Sequence, residues 1–163
     1  MEASQAERGR FLDFGRLQRA EYFGFLAAIL LFVSLFLPWF NADASKASTV
    51  TIGGQDGELS AFATYGILDW LLVAACSAPF ILAYIIARGH ALSWRPGEVT
   101  AIVGLTAFVL IFCNGVVFGK PGEPDAAISF EIGWFLGLLA AAGIAFSGFL
   151  RQLEGAGRKP PGV

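Results

Sequence analysis

Residues Gly66–Ala87 read GILDWLLVAACSAPFILAYIIA, twenty-two positions whose only charge is Asp69. At ~1.5 Å per helical residue such a run reaches roughly 33 Å, enough to cross the ~30 Å hydrocarbon core of a bilayer. Three more runs, Phe23–Phe40, Val99–Phe118 and Ile132–Leu150, contain no Asp, Glu, Lys or Arg. The expected fold is therefore an all-α membrane protein, a four-helix transmembrane bundle. Its segments are residues 1–22 (cytoplasmic), 23–40 (first span), 41–65 (outer loop), 66–87 (second span) and 88–98 (cytoplasmic loop). Residues 99–118 form the third span, 119–131 a second outer loop, 132–150 the fourth span and 151–163 a cytoplasmic tail.

Composition agrees: 56% of the residues are hydrophobic and only 15% charged, and short loops leave no room for a separate soluble domain. A net charge of −2 with no basic stripe excludes phosphate-backbone recognition, so no nucleic-acid partner is expected. The bilayer is the expected partner, together with a membrane protein or further copies of the chain.

The cations sort by side. Arg8, Arg10, Arg16, Arg19, Arg88, Arg95, Arg151, Arg158 and Lys159 fall on one side, against Lys46 and Lys120 on the other. By the positive-inside rule both termini are expected in the cytoplasm and the protein in the cell membrane. Trp39, Trp70 and Trp134 lie near the outer ends of their spans, where interfacial anchoring is the expected role. A cleaved leader ending near Ala42-Asp43-Ala44 is the rival reading of the first run. That run exceeds the ~7–15 residues of a signal peptide's apolar region, and Glu7, Asp13 and Glu21 precede it, so it is read as retained.

The first outer loop offers strand-like Thr49–Ile52, turn signals at Gly53-Gly54 and Asp56-Gly57, and a second apolar stretch from Glu58 to Phe62. A short β-hairpin and a strandless polar loop are both compatible with it. The second outer loop, GKPGEPDAA over residues 119–127, reads as a tight turn. Pro79 in mid-span predicts a kink.

Gly133, Gly137, Ala141 and Ala145 recur every four residues along the fourth span. Such a stripe lets helix backbones approach closely, either with another span of the same chain or with a partner helix. Ionisable groups within spans are costly, which singles out Asp69, Glu98 and Glu131. Each lies in a first helical turn, where the N-terminal N–H groups favour a carboxylate. The sharper expectation is that Asp69, Asn114 and Glu131 share one depth and form an outward-facing polar pocket for a cation, a proton or a polar ligand.

No catalytic set, metal-ligand cluster or cofactor motif is present. His90 is alone, Cys76 and Cys113 read as small packing residues, and no phosphate loop or nucleophile elbow occurs.

The stretches Ser34-Leu35-Phe36-Leu37-Pro38-Trp39-Phe40, Ser60-Ala61-Phe62, Gly66-Ile67-Leu68-Asp69 and Glu131-Ile132-Gly133-Trp134 together resemble small four-span membrane proteins of bacteria. In these the first span ends in Leu-Pro-Trp. The resemblance runs from Arg16 to Arg151; it implies a topology and brings no activity with it. The layout is also similar to that of claudins and tetraspanins, without their paired extracellular cysteines, so their functions are not carried over. The expected role is that of a non-enzymatic accessory or scaffold subunit. The alternative is a small oligomeric transporter or channel with the polar trio at its mouth.

Overall fold

A computed structural model describes residues 17–43, 51–88, 95–122 and 127–156. In chain order they form α1 (Arg19–Ser34), β1 (Pro38–Ala42), β2 (Gly57–Ser60), a single turn α2 (Ala61–Thr64), α3 (Ile67–Ala87), α4 (Pro96–Phe112), β3 (Ile128–Phe130) and α5 (Ile132–Ala156). A π-helical turn, Cys113–Val117, prolongs α4.

Three helical stretches, Ile67–Ala87, Gly97–Val117 and Ile132–Glu154, are long and apolar enough to cross a membrane. The first apolar run differs from expectation. Its helix covers 16 residues and ends at Ser34, and Pro38–Ala42 then departs as a strand. Pro38 has no N–H to continue the ladder. The Ser34 carbonyl, freed at the helix end, accepts instead from the Leu37 N–H at 3.1 Å and the Trp39 indole at 2.6 Å.

Each long helix packs on two others: α1 on α3 and α5, and α4 on α3 and α5. The α4–α5 crossing is close because it is built from glycines. A Cβ on Gly104 would collide with the Ala145 backbone, and one on Gly148 with the backbones of Ala101 and Gly97. Gly133 and Gly137 instead make a slot for the Trp39 ring, with hypothetical Cβ contacts of 2.5 and 2.8 Å. Ala141 is completely buried. The small-residue stripe of the fourth apolar run therefore packs, at these positions, against other parts of the same chain.

At the end of the helices where α3 and α5 begin, the three strands pair antiparallel in the order β2-β1-β3. Phe40, Asn41 and Ala42 face Leu59, Glu58 and Gly57 on one side and Phe130, Ser129 and Ile128 on the other. The register slips between Pro38 and Phe40, which makes Trp39 the extra residue of a bulge. A bulge breaks side-chain alternation, consistent with consecutive Trp39 and Phe40 both being fully buried.

The strand Gly57–Ser60 falls within the expected hairpin loop, but its partner is β1 and not the stretch before the turn. Ile52 and Gln55 form only an isolated bridge around Gly53 and Gly54. Both glycines have positive φ, 59° and 84°, as a tight two-residue hairpin turn requires. Thr49 and Val50 lie outside the described residues, as do His90 and Trp94. The second outer loop carries more than a turn, since β3 occupies residues 128–130.

Candidate functional site

Asp69 lies in the first turn of α3. That position suits a surface carboxylate, but Asp69 is only 1% exposed and its Oδ1 has no hydrogen-bond partner among the described residues. A buried polar atom left unpaired costs about 1–3 kcal/mol, and more when charged. In the extended link before α3, the Tyr65 hydroxyl donates to the backbone carbonyl of Asn114 at 2.9 Å. Burial, and secondarily the charge of Asp69, push the Tyr65 hydroxyl well above the ordinary tyrosine range. Asp69, Tyr65 and Asn114 thus form one neighbourhood.

Asn114 belongs to the π-turn, and its side-chain amide donates to the Leu110 carbonyl at 2.9 Å. A π-turn displaces the helical hydrogen-bond ladder, and such turns recur at functional sites. Gly115, next in the same turn, packs against Trp134: a Cβ there would lie 2.6 Å from the indole nitrogen. That nitrogen is also buried without a partner among the described residues. Around this turn stand Trp39, Phe40, Tyr65, Phe130 and Trp134, in ring contacts with centroids 4.4–6.2 Å apart.

Glu131 does not join Asp69 and Asn114. Its backbone N–H donates to the Trp39 carbonyl at 2.9 Å and its own carbonyl accepts from Trp134. No hydrogen bond or ion pair among the described residues links its carboxylate to the other two. The polar trio expected from the sequence is therefore a pair plus Tyr65, a residue that no sequence signal singled out.

The chain matches no family model, no curated protein and no solved structure.

The tryptophans divide. Trp70 is 71% exposed, whereas Trp39 and Trp134 are buried. The expectation of interfacial anchoring is corrected for these two. Trp39 is drawn inward by the Gly133–Gly137 slot and the Ser34 carbonyl, and Trp134 by Gly115 and Phe130.

A second polar cluster, at the opposite end, was not expected. Glu21 of α1 is buried and forms an ion pair with Arg151 of α5. Its other oxygen accepts the backbone N–H of Gln18 at 2.5 Å, the reach-back half of a capping box. Beside the pair lies a cavity of about 20 Å³, to which α1, α3, α4 and α5 all contribute, including Gly24, Pro79, Thr100 and Ser147. A volume above roughly 10–15 Å³ accommodates one water molecule. In the sequence both residues read as boundary charges. Their only signal was helical phase: Glu21, Gly24 and Ala28 share the buried face of α1.

Among the described residues, no group of three His, Cys, Asp or Glu side chains is placed to hold a metal ion. Cys76 is buried and Cys113 half-buried, both as free thiols.

Proposed function

We propose that this chain is a non-enzymatic accessory or scaffold subunit of a bacterial cell membrane, with α1 completing a four-span bundle and both termini in the cytoplasm. The observation that carries this reading is the seating of β1. Its fully buried Trp39 and Phe40 lock the outer strands onto the helix ends, while Thr51, Gly53, Gly54, Gln55, Asp56 and Glu58 remain exposed. A fixed sheet whose β2 edge pairs with no further strand among the described residues, on a closely packed helical base, suits the docking of an extracytoplasmic partner segment. The arginines support the orientation: Arg19, Arg88, Arg95 and Arg151 fall at helix ends remote from the sheet, and Lys120 falls on the sheet side.

Photocrosslinkers placed at Gln55 and Glu58 in native membranes test this. A single stoichiometric protein adduct at both positions, missing from a crosslinker at exposed Leu139 of α5, is expected. Adducts to lipid alone at all three positions would overturn it. Cysteine labelling at residues 55 and 155 should report opposite sides of the membrane.

The second reading is a small oligomeric transporter or channel. One observation favours it, the buried Asp69 oxygen near the outer end that has no partner among the described residues. Solute flux into liposomes that is lost in Asp69→Asn would move the balance to this reading.

A further inference from the structure

Two oxygens face the same problem around the π-turn. The Tyr65 hydroxyl has committed its proton to the Asn114 carbonyl, so toward its other neighbours it can only accept. Asp69, four residues on, presents a buried carboxylate whose Oδ1 also accepts nothing among the described residues. No hydrogen bond joins the two side chains, and among the described residues no cationic side chain pairs with Asp69. A buried carboxylate beside other acceptors has to be neutralised, by a proton or by a bound cation. The Asn114 backbone carbonyl that accepts the Tyr65 proton is a further neutral oxygen of the same neighbourhood.

The charge count selects the ligand class. One carboxylate with neutral hydroxyl and carbonyl oxygens balances a single positive charge. Divalent cations draw on several carboxylates or many oxygens, and no three-residue acidic or metal-ligating cluster is present among the described residues. Oxygen donors without sulfur or imidazole select a hard cation. The indole N–H of Trp134, on the other flank of the turn at Gly115 and without a partner among the described residues, needs an oxygen lone pair, which a water carried by an ion would provide.

We propose that Asp69, the Tyr65 hydroxyl and the backbone carbonyl of Asn114 bind one small monovalent cation of sodium type at the outer end of the helices. The site ties α3 to α4, so its occupation stabilises the native arrangement whether the protein acts as a scaffold or as a carrier. Cation binding there is thus independent of which functional reading holds.

The test is the thermal midpoint of the full chain in mild detergent. Sodium chloride is titrated against choline chloride at constant ionic strength, and the series is repeated with lithium and potassium. Binding to the native state alone raises the midpoint with ligand concentration. We expect a rise of about 3 °C or more between sodium-free buffer and a saturating concentration. The rise should vanish in Asp69→Asn, shrink in Tyr65→Phe and persist in Glu58→Gln on the exposed β2. Asp69→Asn should still fold, with a sodium-free midpoint at or above that of the parent, because it removes an unpaired buried charge. A midpoint that follows pH but not sodium would assign a proton to Asp69 and overturn the proposal. A sodium response that persists in Asp69→Asn, or none in the parent chain, would also overturn it.

Discussion

The indole N–H of Trp39 donates to the backbone carbonyl of Ser34 at 2.6 Å, joining the strand that leaves the first helix to the last residue of that helix. The ring itself lies over Gly133 and Gly137 of α5. One side chain therefore ends α1, starts the outer sheet and holds both to α5. Trp39→Phe keeps much of the ring but leaves a fully buried carbonyl with one donor fewer. It should cost about 1–3 kcal/mol, and Trp39→Ala about 3–5 kcal/mol. Thermal or denaturant unfolding in detergent measures both. A midpoint unchanged in Trp39→Ala would show that the ring is not seated in this slot.

The α4–α5 crossing depends on the absence of side chains. Gly104→Leu should prevent close approach, since even a Cβ at that position collides with the Ala145 backbone, and overpacking typically costs about 1–3 kcal/mol or more. Gly66 precedes α3 with a φ of −94°, and a Cβ added to it would meet nothing within 4 Å. Gly66→Ala should be neutral or stabilising by up to about 1 kcal/mol, by restricting the unfolded chain. Yield and unfolding midpoint of the two variants should separate clearly.

Glu21 is buried and its ion-pair partner Arg151 half-buried, so removing Arg151 takes the cation away from a buried carboxylate. Arg151→Met alone should cost about 3–5 kcal/mol, Glu21→Gln should cost less, and Glu21→Leu combined with Arg151→Met should recover most of the larger loss. A double-mutant cycle measures the coupling. Additive losses would place the pair in solvent instead of between the helices.

Tyr65 gives a pH dependence with a definite sign. Its native hydroxyl holds the proton more tightly than an unfolded tyrosine does. Above the ordinary tyrosine value of about 10, the unfolded chain loses a proton that the native chain keeps. Stability contributed by this group is complete below that pH and declines as pH rises through and beyond it. Tyr65→Phe should flatten the decline in unfolding midpoint between about pH 9 and 11 relative to the parent chain. An identical slope in both proteins would remove Tyr65 as its source.

Trp70 should behave unlike the other two outer-end tryptophans. In single-tryptophan variants reconstituted into vesicles, brominated lipid should quench Trp70 strongly. It should quench Trp39 and Trp134 weakly, given exposures of 71%, 0% and 5% for Trp70, Trp39 and Trp134. Equal quenching of all three would contradict the burial of β1.

What the sequence determined by itself follows from local physics. Continuous apolarity over Gly66–Ala87, Val99–Phe118 and Ile132–Leu150 specifies helices able to cross a bilayer, because a backbone in hydrocarbon must satisfy its own hydrogen bonds. The positive φ at Gly53 and Gly54 was legible as turn chemistry for the same local reason. Tertiary structure decided everything that depends on partners distant in the chain. Pro38–Phe40 is apolar enough to read as the end of a helix, and with Asn41 and Ala42 it becomes a strand because Gly57–Ser60 and Ile128–Phe130 pair with it from both sides. Glu131 sits near Asp69 in any depth diagram, yet its backbone bond to Trp39 commits it to the sheet. Tyr65, Glu21 and Arg151 are ordinary boundary residues in the sequence. Only the folded chain, by setting Asn114 against Tyr65 and crossing α1 with α5 at Glu21 and Arg151, withdraws them in part or whole from water and gives them chemical consequence.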